Sequence, residues 1–458
     1  MGVSIRSWPG RIGVSCLAAV ACTGAMAVVS AHAETAVSSN MVLVGRVDDP
    51  HGDLIGAMSI AFSRKKPFAF VNTRGAHSKI VTLDISEPTA PRIIATLDMT
   101  KEDGMAGMED MNLGERPDGT AFLIVPTGST ADGRSSPTGF RVVDVTKPAE
   151  PKKRRTGAIA AHTWTCATVE CYSAFGVAAP DSPVLDLHNL DNLDNNPESE
   201  PAGTVRSLVG PYGHDWNRDG AGVLWHVGKS GLAAYDVSAP TAPQPLNASD
   251  KWGALPPYND QLQLHGTLRP NAQRFTPGTA KDAASVDNGD VLLVTEEGND
   301  VDCTDTFQTW HIPYLDAARF RAENQLSLPS QGSITPLDTW SFATDTTPGV
   351  DRPVNMTYCS VHWFDFHQAG FVALAAYSGG TRILDVRDAR HIREVGYYFD
   401  GKGLAMQSYW VPERDRAGQA TGEASKLVYT TDVGPDATAA VGPTSGGGID
   451  IFRVTLPR

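Results

Sequence analysis

One phrase recurs along this chain and limits its fold more than any other feature. Gly231–Pro245 reads GLAAYDVSAPTAPQP. Ile80–Arg92 gives IVTLDISEPTAPR, Phe140–Lys152 gives FRVVDVTKPAEPK, and Thr381–Arg393 gives TRILDVRDARHIR. Each is an apolar run closing on Asp then Ile or Val, followed by a polar turn that in three of the four cases holds two prolines three apart. An internal repeat of this kind implies an array of similar supersecondary units.

Each unit reads as four strands, with the phrase ending the third. Taking Ser59, Met111, His162, His214 and His265 as unit starts gives spacings of 52, 51, 52 and 51. Insertions rich in Gly, Pro, Ser and Asp, at 127–139, 270–289, 313–335, 411–425 and 434–447, read as loops. Seven such units predict an all-β, seven-bladed β-propeller of four-stranded antiparallel blades. The last unit lacks an outer strand, while Met41–Val47 (MVLVGRV) has no partner before it. That spare strand is expected to complete the last blade and close the ring, since an open array leaves unpaired edges.

The phrases VVDV, YDVSAPTAP, LDISEPTAP and RILDV resemble the LVIVD-repeat family of exported bacterial and archaeal proteins. The resemblance spans most of the chain after its leader and implies a β-propeller. It implies no activity. The fifth unit departs from it, its third strand ending in TWHI.

Residues 1–33 read as a signal peptide. Arg6 and Arg11 precede the apolar run Ile12–Ser30, and Ala31-His32-Ala33 is a small-residue cleavage site. A single domain is expected over 34–458, in the periplasm or secreted. Four cysteines follow the leader, and four can pair three ways. The short Cys166–Cys171 spacing across a hairpin favours that pair, leaving Cys303–Cys359. No later stretch is long and apolar enough to span a bilayer. A net charge of −14 with no basic stripe disfavours nucleic acid as a partner. A monomer is expected, acting on a small-molecule or carbohydrate substrate or binding another exported protein.

Histidine placement carries the functional reading. His162, His214, His265 and His362 occupy the same place in successive units, where the innermost strand begins. A propeller would turn these imidazoles toward its axis, as ligands of a divalent transition metal (Cu, Zn, Fe or Mn). A polar pocket without metal, or a hydrogen bond repeated in every blade, would also place histidine there. The corresponding positions of units one, two and seven are read as Ser59, Met111 and Ser408.

His77, Glu297 and Tyr377 fall in loops of the same face and are candidate catalytic groups. Arg74 and Lys229 share that face. Glu109 and Asp110 sit beside Met99, Met105, Met108 and Met111. Those methionines read as apolar cover or as thioether ligands for Cu(I). His188, His226, His311, His367 and His391 read as packed or solvated. No nucleophile elbow, phosphate loop, dinucleotide fingerprint or His-Glu-x-x-His occurs, which disfavours serine hydrolase and nucleotide chemistry. Three functions stay open: a metal-dependent enzyme of oxidoreductase or polysaccharide-lyase type, a non-catalytic binding propeller, and polysaccharide processing without metal, with His and Tyr transferring protons.

Overall fold

A computed structural model describes residues 36–47, 56–74, 78–100, 105–129, 137–178, 181–190, 201–209, 213–229, 231–249, 263–298, 303–325, 333–343, 359–399, 403–433 and 447–457. The expected signal peptide and His77 lie outside them.

The repeated phrase folds the same way each time, for a local reason. Its Asp ends a strand and its Oδ1 accepts the backbone N–H two residues on. The pairs are Asp84 with Ser86, Asp144 with Thr146, Asp236 with Ser238 and Asp385 with Arg387, at 2.9–3.1 Å. A backbone bond then closes the turn, as from Ala90 N–H to Glu87 C=O and from Ala242 N–H to Ala239 C=O, both 2.9 Å. Asp favours this self-capping turn because its short carboxylate reaches its own backbone.

Four sheets have four antiparallel strands each. The first holds Ala57–Phe62, Phe68–Thr73, Lys79–Asp84 and Arg92–Asp98. Another holds Trp164–Cys166, Ser173–Gly176, Asp181–Asp186 and Gly203–Arg206. The next holds Gly213–Arg218, Val223–Gly228, Gly231–Asp236 and Gln244–Ala248. The last of this kind holds Gln263–Leu268, Val291–Glu297, Phe307–His311 and Thr335–Trp340. A five-stranded sheet carries Asn112–Glu115, Ala121–Ser129, Pro137–Asp144 and Lys152–Gly157, with Met105–Gly107 as an additional short strand.

A nine-stranded sheet is two antiparallel groups, Trp363–Phe399 and Leu404–Val454, joined by a two-residue parallel pairing of Trp363 and Phe364 with Gln407 and Ser408. Met41–Val47 pairs antiparallel with Gly448–Val454, as the spare strand requires. Ala36–Val37 pairs with Arg393–Phe399.

Packing between sheets follows chain order. Phe70 and Ile80 of the first sheet meet Leu123, Val125 and Val143 of the five-stranded sheet. Trp225 and Leu232 meet Leu292 and Trp310 of the next sheet along. Tyr429, Ile449 and Ile451 near the C-terminus pack on Ile60, Val71 and Val81 of the first sheet. The succession therefore closes on itself, in a propeller-like all-β array. Each buried Val, Leu, Ile or Phe contributes about 1.5–3 kcal/mol to these contacts.

Side chains of the inner strands also bond to the backbone of the next sheet. Cys166 N–H donates to Asn112, Thr267 N–H to Asn217, Trp410 N–H to Asp365 and Ile60 N–H to Gln407, at 2.8–3.3 Å. The last of these links the final sheet to the first.

Both expected disulfides are present, Cys166–Cys171 and Cys303–Cys359. Two loop expectations are corrected. Much of 411–425 is a hairpin, because Leu404–Arg414 and Ala420–Val433 continue pairing past the sheet's rim. Residues 313–335 contain the helix Ala317–Gln325, entered by an Asp316 carboxylate that accepts from Ala318 and Arg319 N–H. Among the described residues no helix is long and apolar enough to cross a membrane.

Candidate metal centre

The histidines converge at the starts of the inner strands, and at two of them the ladder is irregular. Register slips between Gly213 and Asp215, so that His214 bulges from the ladder, and between Leu264 and Thr267, around His265. A bulge re-aims a side chain that regular pleating would send elsewhere. The five-stranded sheet has a larger irregularity between Gly107 and Asn112, and it delivers Glu109. The same slip between Ala57 and Ser59, and between Ala405 and Gln407, puts Met58 and Met406 in this slot. The slot residues of units one, two and seven are therefore Met58, Glu109 and Met406, rather than Ser59, Met111 and Ser408. Counting along the strand missed the extra residue that each bulge inserts.

The imidazoles form an arc. Ring centroids lie 4.5 Å apart for His162 and His214, 4.1 Å for His214 and His265, and 4.2 Å for His265 and His362. All four Nε2 atoms surround one carboxylate oxygen, Glu109 Oε2, at 3.7 Å from His162, 3.9 Å from His214, 3.8 Å from His265 and 3.9 Å from His362. Glu297 Oε2 stands 3.5 Å from both His214 and His265. Tyr377 adjoins His362, centroids 4.8 Å apart, and its hydroxyl donates to Glu297 Oε1 at 2.5 Å. Tyr377 is held at φ 38°, a strained conformation for a non-glycine residue, by two backbone bonds with Ala405. Met58 and Met406 pack with Tyr377 and Val433 as an apolar flank.

The donors suit a metal. His362 Nδ1 lies 2.7 Å from the Met406 carbonyl, which fixes its proton there and leaves Nε2 with a lone pair toward the cluster. His265 Nε2, His362 Nε2 and Glu109 Oε2 are buried and have no hydrogen-bond partner among the described residues. Buried polar atoms are rarely left so. Three groups, Glu109 with His162 and His214, Glu109 with His265 and His362, and His214 with His265 and Glu297, each have ligand atoms within 4.8 Å of one another and could hold a metal ion.

Electrostatics reinforce this. Burial, with mutual repulsion from His265 and His162, holds His214 well below the ordinary imidazole value. Burial and the field of His265 push His362 down to about 3. His162 is lowered too, chiefly by burial. Neutral imidazole is the form that binds metals. Burial opposes ionisation of Glu109, but the surrounding histidines, His162 foremost among the attractions, hold its carboxyl well below the usual range. Glu297 is pushed up to about 7 by burial, partly offset by His265. The side chain of His162 is 30% exposed while those of His265 and His362 are closed off, so the arc opens on the His162 side.

Other candidates separate from this cluster. His188 and His391 are exposed and sit 2.8 Å from Asp186 and Asp388. His226 is buried and stacks on Trp216 at 4.0 Å. His311 and His367 are buried in their own strands. Met99 and Met111 pack in a hydrophobic cluster, which fits apolar packing and not a thioether site. Arg74 lies near enough for its charge to disfavour protonation of His162. Glu109, which the sequence places beside the methionines, stands at the centre. A signal for it existed: 162 − 109 = 53, which continues the repeat spacing by one more unit.

No family model and no curated protein matches this sequence. Solved structures do match, in 685 chains, so the architecture is widespread and by itself names no activity. One is the crystal structure of Chaetomium thermophilum Raptor, with a TM-score of 0.53 and 8% identity over 92% of this chain. This chain spans 30% of that one. At such identity the likeness shows a common fold alone.

Proposed function

We propose that this chain is an exported, LVIVD-like, seven-bladed β-propeller whose hub binds one divalent transition metal ion (Cu, Zn, Fe or Mn) and acts as a metal-dependent enzyme. Counting the nine-stranded sheet as two blades gives the seven units read from the repeat. The domain is 34–458 behind a cleaved leader, and the two disulfides fit an oxidising compartment. One observation carries the functional reading: four imidazole Nε2 atoms from four consecutive units lie 3.7–3.9 Å from a single buried, unbonded carboxylate oxygen.

His162, His214, His265 and His362 would hold the ion, with Glu109 supplying charge. A bound ion would supply Lewis acidity at a buried, polar site. Glu297, poised near neutrality, accepts or returns a proton there. Tyr377 orients it through the 2.5 Å bond. The substrate is a small molecule or carbohydrate entering beside His162, and the chemistry is oxidation or elimination.

The donor count supports a second reading. An ion held by four imidazoles and two carboxylates has no open position, which suits a non-catalytic binding propeller. Elemental analysis of exported protein, grown with Cu, Zn, Fe and Mn supplied, tests the proposal beside a His214→Ala/His265→Ala variant. About one equivalent of metal, lost in the variant, is expected. Absence of metal from the wild type contradicts the proposal and leaves the binder. Azide that changes the spectrum of the protein loaded with Cu²⁺ marks an open position, and an unchanged Cu²⁺ spectrum favours the six-donor binder.

A further inference from the structure

The inner strands have a second end, and it forms a cavity of about 690 Å³. Asn112, Thr165, Asn217, Thr267, Asp365 and Tyr409 line it, each from a different inner strand. The histidine slots mark the starts of these strands, so the cavity is the opposite mouth of the axial passage. Its volume is ordinary for a small-molecule site.

Two features of its wall point to a ligand. The first is charge. Arg64 and Arg218 both line the cavity, and neither has an ion-pair partner among the described residues. Among the described residues Arg218 donates only to the Asp219 carbonyl, at 3.4 Å. Burial and then the field of Arg64 make Arg218 easier to deprotonate, while Asp219 and Glu170 partly offset them from beyond ion-pair distance. By contrast Arg269, in the same wall, is neutralised by Asp219 at 2.8 Å. Two arginines lining one cavity, neither held in an ion pair among the described residues, offer a position for an anion.

The second feature is the floor. The Tyr409 hydroxyl has no hydrogen-bond partner among the described residues, and burial with the fields of Asp110 and Asp365 keeps it protonated, hence a donor. Asp365 beside it is a fixed acceptor. Its Oδ1 is held by Phe366 N–H at 2.8 Å and its Oδ2 by Trp410 N–H at 3.1 Å, with lone pairs to spare. Phe62 and Phe366, both partly exposed, add apolar faces to the same wall. An anchored donor and acceptor next to aromatic faces suit a ring bearing hydroxyl groups.

We infer that this funnel binds a sugar acid, its carboxylate on Arg64 and Arg218 and its hydroxyls on Asp365 and Tyr409. The site is independent of the metal centre. Calorimetric titration of the metal-loaded protein with D-glucuronate, D-glucose and acetate tests it. Glucuronate is expected to bind about tenfold or more tighter than either of the others. In Arg64→Gln/Arg218→Gln, glucuronate should bind no better than glucose, with metal content unchanged. Tyr409→Phe should weaken both sugars and spare acetate. If the double variant does not fold, salt replaces it: added NaCl should weaken glucuronate and leave glucose unaffected. The inference is overturned if glucuronate gives no heat, if acetate or glucose binds as tightly, or if neither the arginine substitutions nor salt alters its affinity.

Discussion

Metal binding should release a proton from one carboxyl group in an amount that can be worked out. Glu297 is pushed up to about 7, so at pH 7 roughly half of it is protonated. An ion seated among the four imidazoles expels that proton. The release due to Glu297 is therefore ~0.9 per ion at pH 6, ~0.5 at pH 7 and ~0.1 at pH 8. His162, His214 and His362 lie below their ordinary value of 6.5 and so give fewer protons than ordinary imidazoles would. Were they ordinary, the three would add about 2 protons at pH 6. Calorimetric titration of metal-free protein with Zn²⁺, in buffers of different ionisation enthalpy, counts the protons. Glu297→Gln should lower the count by the amounts above at each pH. A variant that releases as many protons as wild type at pH 6, or a difference that grows as pH rises, refutes this account of the cluster.

Three more outcomes follow from the same coordinates. Tyr377→Phe removes a hydrogen bond that favours the ionised form of Glu297, so any activity needing that carboxylate should shift its pH profile upward, by roughly 1 unit for a bond worth ~1.4 kcal/mol. Gln407→Leu leaves Ile60 N–H unpaired between the last sheet and the first, and urea titration should show a loss of about 1–3 kcal/mol. His226 is driven down from 6.5 to about 3 by burial, so the unfolded chain takes up its proton first. Stability is whole above pH 6.5 and falls by about 4–5 kcal/mol as pH drops toward 3. His226→Phe should flatten that acid limb in melting experiments, and an unchanged limb would show that His226 does not set it.

Much of this was legible because it is local. The Asp that ends each repeated phrase caps its own turn, so turn chemistry preserved a readable pattern. His162, His214 and His265 kept their spacing because each opens an inner strand. Disulfide partners followed from a short hairpin and elimination. What was not legible depends on geometry between units. Glu109 looks like a loop acid until an irregular stretch turns it inward. Met58 and Met406 share the slot only because a bulge shifts the register. The bonds from Asn112, Asn217, Asp365 and Gln407 to neighbouring backbones leave no periodic mark. The hairpin over 411–425 was hidden by its polar composition, although its turn has a readable cue. Asp415 Oδ1 accepts from Ala417 and Gln419 N–H, and Gly418 takes φ 81°.

The central claim is that four imidazoles share one ion. X-ray absorption at the edge of the bound metal, on protein as exported, examines this most directly. The account predicts three or four nitrogen neighbours at ~2.0–2.1 Å with the outer-shell scattering of imidazole rings. A metal surrounded by oxygen alone, with no imidazole signature, would contradict it.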